Sequence, residues 1–221
     1  MHIEPGYVSA AKVMAANVAA AGVVLWGVKL QAAEFLKNPL VPLKTILAAV
    51  FFSLFMESFH MPVGPSELHF VGAMAMYLTL GFTPVFLGFA LGLLVQGFLF
   101  VPADLVHLSV NSLSLILPLV SVHYLAGRKL FDQALGKRTT VAQIIKLDAM
   151  YYAGVTGMVG FWLLIGEVET PLLAWAQFAA SYLAVVAIEP LVTYAAVRGL
   201  KAAEGGALVQ RLTVVPSLKL A

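Results

Sequence analysis

The sequence predicts an all-α membrane protein of about seven transmembrane helices, with the N-terminus outside and the C-terminus cytoplasmic. Three observations lead there. The mean hydropathy is +0.94. Apolar residues make up 61% of the 221 and charged residues only 11%, against roughly 25% charged in soluble domains. Lys and Arg recur in alternate connections between apolar segments, as the positive-inside rule demands.

The apolar segments fall at 8–28, 43–59, 70–80, 85–101, 105–126, 147–165 and 172–197. A bilayer core takes about 20 residues of helix, and six of the seven segments are near that length. The third is short, and only Gly81-Phe82-Thr83-Pro84 divides it from the fourth; a helix starting inside the protein fits it. No soluble domain, long linker or solenoid-period repeat is visible. The chain reads as one integral membrane domain, 1–221. Within it lie an N-terminal segment 1–7, an outer loop 60–69, a cytoplasmic loop 127–146 and a cytoplasmic tail 198–221.

The basic residues fix the orientation. With the N-terminus outside, Lys29, Lys37 and Lys44 lie inside, as do Arg128, Lys129, Lys137, Arg138 and Lys146, and Arg198, Lys201, Arg211 and Lys219 in the tail. Lys12 alone is outside. Because these charges follow topology instead of forming one patch, the sequence gives no nucleic-acid signal; the lipid bilayer is the expected environment. With no cysteine there are no disulfides, thiolate metal sites or Cys nucleophiles.

This topology gathers Met1-His2 and the loops 59–69, 102–107 and 166–170 on one outer face. The loops carry Glu67, Asp104, Glu167 and Glu169, with Glu57 just before the first of them, and no Lys or Arg. An acidic rim attracts cations, although it also mirrors the charge bias of any such topology. His2, His60, His69 and His107 fall on that face too, and His123 near the inner end of the fifth segment. Neutral imidazole suits zinc, copper, iron or nickel. No basic cluster and h-region mark the start as a signal peptide, so a Met1 amine is expected beside the His2 backbone nitrogen and imidazole. Those groups can form fused chelate rings on a divalent metal. In the stretch 56–69, two prolines and a glycine forbid regular helix. Such a loop is tolerated at membrane depth where protein covers it or a cavity solvates it.

Met1-His2-Ile3 with the following Gly6-Tyr7, the Pro-rich loop ending in His69, Gly72, the run Gly88-Phe89-Ala90-Leu91-Gly92-Leu93-Leu94-Val95-Gln96-Gly97-Phe98-Leu99-Phe100, and Asn111 together resemble the cobalt/nickel-binding S components of energy-coupling-factor transporters, the CbiM/NikM family. The resemblance runs from residue 1 to about 126. It implies a seven-helix protein of the bacterial plasma (inner) membrane that captures Ni2+ or Co2+ at the outer face for uptake. It implies Met1, His2 and His69 as metal ligands, since the family holds its metal by the terminal amine, the second residue's backbone nitrogen and imidazole, and a loop histidine. Four nitrogens in a plane suit Ni(II) or Cu(II), and binding weakens as pH falls because amine and amide must lose protons. The implied partners are a transmembrane coupling (T) subunit, cytoplasmic ABC ATPases and a small accessory membrane protein; no organic cofactor is expected. The loop departs from the family's usual Ser-rich run with a glycine. Pro65-Ser66-Glu67-Leu68-His69 instead places Glu67, and His60 before it, as further oxygen and nitrogen donors.

Asn111, with Ser109, Ser112 and Ser114, can orient His69 or act as polar glue between helices. Gln96 reads as structural. Glu189-Pro190 puts a carboxylate in the seventh segment, where it is functional or pairs with a loop cation. Small residues at Ala15-Ala16, Ala19 to Gly22, Gly88, Gly92, Gly154, Gly157 and Gly160 permit close helix approach, within the chain or against the coupling subunit. There is no Gly-x-x-x-x-Gly-Lys-Ser/Thr run, so ATP hydrolysis falls to separate chains and the chain itself is no enzyme. Two other functions compete: an S component for an organic micronutrient, and an intramembrane metal-dependent hydrolase using Ser66, for which His-Glu-x-x-His is absent. Trp26, Trp162 and Trp175 read as interface-belt residues.

Overall fold

The structure is a computed structural model describing Ile3, residues 6–64 and residues 66–220. Its helices are α1 (Ala10–Phe35), α2 (Val41–Ser58), α3 (Ala73–Leu80), α4 (Phe82–Leu99), α5 (Pro102–Phe131), α6 (Val141–Leu164), α7 (Leu172–Ala202) and the short α8 (Ala207–Leu212). Strands β1 (His60–Val63) and β2 (Ser66–His69) form an antiparallel hairpin, and β3 (Arg138–Thr139) pairs in parallel with β4 (Lys219–Leu220). The chain is 78% helical, which settles the all-α class.

Among the described residues, α1, α2, α4, α5 and α7 are long and apolar enough to cross a membrane. The expectation of about seven spans is thus met by five on those grounds. The other two segments are helical but differ for physical reasons. The eight residues of α3 reach only about 12 Å at 1.5 Å each. α6 has the length, but Lys146, Asp148 and two tyrosines dilute its apolar character. Its start is a capping box not foreseen from the sequence: Thr140 Oγ1 accepts from the Gln143 amide, and Gln143 Oε1 from the Thr140 amide. The helix therefore begins six residues before the apolar segment, and α5 runs on to Phe131. Both shorten the expected loop at 127–146.

α3 lies inside the protein. Its N-terminus begins at Gly72, whose φ of 65° lies in the left-handed region and whose missing side chain leaves room for the Phe55 ring, 2.3 Å from where a Cβ would stand. Gly81, at φ 98°, turns the chain directly into α4.

Lipid is as apolar as leucine, so helices in a bilayer associate by close packing instead of apolar burial. α2 and α4 follow that rule. A Cβ on Gly88 would lie 2.5 Å from the Ala48 Cβ, and one on Gly92 2.4 Å from the Phe52 ring. Gly154 of α6 meets Pro118 of α5 in the same way, at 2.8 Å. Trp162 corrects the interface-belt reading: it is buried, and its Nε1 donates to Ser114 Oγ at 3.1 Å. The tail differs from a free extension. The Val214 amide donates to the Thr79 carbonyl at 2.8 Å, and Val215 and Leu218 are buried.

Candidate metal-capture site

Ile3, the hairpin, the turn at Pro102–His107 and the α6–α7 connection meet at one end of the helix bundle. Ile3 is fully buried and held on three sides. Its amide donates to Asn111 Oδ1 at 3.1 Å, its carbonyl lies 2.9 Å from His107 Nδ1, and its backbone pairs with Ser66 of β2 in an antiparallel bridge. A few residues on, the Tyr7 carbonyl accepts from the Glu167 amide at 2.8 Å. Lys12 Nζ reaches Glu167 Oε1 at 2.6 Å. That contact, with a second from Ser9, holds the exposed Glu167 carboxyl below its ordinary range.

The loop read as irregular is an ordered hairpin. Gly64, at φ 59°, makes the turn, and the register sets His60 opposite His69 and Pro62 opposite Glu67. Side chains alternate along a strand, so Glu67 and His69 share one face while Ser66 and Leu68 take the other. The His60 and His69 rings stack with centroids 5.9 Å apart.

His69 is buried and tethered through both ring nitrogens. Nδ1 lies 3.3 Å from the Met56 carbonyl, and Nε2 3.0 Å from Glu67 Oε2. A carbonyl accepts only, so Nδ1 carries the hydrogen there and Nε2 is the nitrogen that faces Glu67. A metal-binding imidazole characteristically donates its remote N–H to a backbone carbonyl in this way. Glu67 is part-exposed and close enough to His69 to supply an oxygen donor.

His69, Glu67 and His60 come together on the hairpin. Asn111 binds the Ile3 amide. Met1 and His2 lie outside the described residues. Gln96 Nε2 donates to Glu57 Oε1 at 3.2 Å, next to the hairpin's entry. Among the described residues, no group of three or more His, Asp or Glu is arranged to hold a metal ion. Sequence reasoning counted His107 among the outer histidines but gave it no role. Its spacing of four residues from Asn111 was the available signal, since that spacing stacks two side chains on one helix face.

Fold and site together define a multi-pass membrane protein in which Ile3 is fixed beside a histidine-bearing hairpin at one end. The family model described as "cobalt uptake substrate-specific transmembrane region" matches residues 2–205, and the chain belongs to that family, CbiM. It is therefore a substrate-specific membrane component of cobalt uptake. No curated protein and no solved structure matches the chain.

Proposed function

We propose that this chain is the S component of an energy-coupling-factor ABC importer. It captures Ni2+ or Co2+ at the outer face of a bacterial inner membrane through Met1, His2 and His69, with Glu67 and His60 as further donors. The observation that carries the reading is the three-point fixation of Ile3. Two peptide units separate Met1 from Ile3, and each spans about 3.8 Å. That fixation lies beside β2, where His69 has its remote nitrogen tied to Met56, and it supports a reading in which the residues just before Ile3 supply the other nitrogens.

The topology in this reading has seven membrane-inserted helices, with the N-terminus out and the C-terminus in. Twelve of the thirteen basic residues then lie inside, and the outer exception, Lys12, is paired with Glu167. The coupling T subunit and the ATPases are separate chains.

The test uses full-length protein purified with a free N-terminus. Wild type binds one Ni2+ or Co2+ per chain, while His2→Ala and His69→Ala lose stoichiometric binding. A blocking N-terminal tag, which replaces the amine by an amide, does similar damage. Unchanged metal content in both variants rejects the assignment.

A further inference from the structure

The α3 N-terminus, three residues beyond His69, points at a buried carboxylate from another helix. Glu189 of α7 is fully buried, and the backbone amides of Gly72, Ala73 and Met74 are directed at it. Tyr152 of α6 donates its hydroxyl hydrogen to Glu189 Oε2. The same hydroxyl oxygen accepts from the Val71 amide at 3.4 Å. The first amides of a helix have no intrahelical partner and carry the positive end of its dipole, so an anion is the natural occupant.

Asp148 of α6, also fully buried, faces Glu189. Two adjacent carboxyl groups sealed from water cannot both be anionic without a cation. Among the described residues, both Asp148 oxygens and Glu189 Oε1 lack a hydrogen-bond partner, whereas Glu189 Oε2 accepts from Tyr152. Of the two carboxyls, Glu189 is the one that a neighbouring hydroxyl hydrogen and a helix N-terminus face, so the pair's single negative charge is better supported there than on Asp148.

We propose that Glu189 is a positioning residue for the metal-capture hairpin, an anionic anchor that α7 provides for the α3 N-terminus and, through Tyr152, for the backbone just after His69. Its effect on metal rests on the metal-capture reading. Its effect on the backbone does not. Pro190 lies inside α7 beside the anchor.

The test compares Glu189→Gln, Asp148→Asn and Tyr152→Phe in full-length protein with a free N-terminus, by Ni2+ and Co2+ titration and by hydrogen exchange without metal. Loss of a group that orients a metal ligand typically weakens affinity about 10–100-fold. Glu189→Gln is expected to fall in that range, to shift the visible absorption of the bound metal, and to speed exchange from Val71 to Ala75. Asp148→Asn keeps a donor facing Glu189, and its loss of affinity is expected to be smaller by about tenfold. Equal effects of the two variants, or unchanged exchange in Glu189→Gln, overturn the proposal. If Glu189→Gln does not fold, Tyr152→Phe decides: faster exchange at Val71 supports the anchor, and wild-type exchange rejects it. If wild type binds no metal, the metal-capture reading fails while the exchange arm still judges the anchor.

Discussion

The Ile3 amide and the Asn111 side-chain oxygen, 3.1 Å apart, join residues 108 positions apart in the chain. Both are buried, so the bond is made away from water. An unpaired buried amide costs about 1–3 kcal/mol. Asn111→Ala is therefore expected to lower the melting temperature and to weaken Ni2+ or Co2+ binding about tenfold, the low end for a group that orients ligands. Calorimetry with and without metal reads both; wild-type affinity in Asn111→Ala would show that the strand needs no such hold.

His107 grips the other side of the same residue, through the Ile3 carbonyl at 2.9 Å. Phenylalanine at 107 keeps the ring volume and removes the donor. Once one contact is lost and the strand is free, the second has little left to hold, so the losses are expected to be non-additive. His107→Phe combined with Asn111→Ala should cost clearly less in metal affinity than the two single effects added. Strict additivity would mean that the contacts act on separate structures.

Much of this architecture was legible because a bilayer forces simple rules on sequence. Hydropathy located the helical segments, and Gly81 marked the break between α3 and α4. The hairpin was less legible: Pro62, Gly64 and Pro65 exclude helix, but cross-strand pairing of His60 with His69 depends on a register set by the surrounding packing. Sequence also could not choose between the readings of Asn111, because its partner is a backbone amide over a hundred residues away. Glu189 was visible as an intramembrane carboxylate, whereas the helix terminus opposite it was not, since nothing local to residue 189 encodes α3.

The small residues of α1 and α4 look alike in sequence, yet the structure separates them. A Cβ at Gly88 would press on Ala48, while one at Gly22 meets nothing within 4 Å. Gly88→Leu is expected to cost about 1–3 kcal/mol by overpacking, read as a lower melting temperature in detergent. Gly22→Ala should match or exceed wild type, because alanine is the better helix former by about 1 kcal/mol. If Gly88→Leu melts like wild type, α2 and α4 do not approach as closely as described.

The pair of Lys12 and Glu167 ties the start of α1 to the α6–α7 connection at 2.6 Å, and it gives this end of the bundle an acid sensitivity of predictable sign. The hydrogen bond from Lys12, then that from Ser9, holds the Glu167 carboxyl below its ordinary range. A carboxyl whose folded value is depressed contributes stability that is present above its unfolded value and lost as pH falls through the folded one. Both side chains are exposed, so solvent and salt keep the effect small. Wild type is expected to lose slightly more melting temperature than Glu167→Gln on acidification from neutral pH to below the carboxylate range. Lys12→Met should remove the same increment, and added salt should shrink it. Identical acid profiles for wild type and both variants would show that the contact contributes nothing to stability.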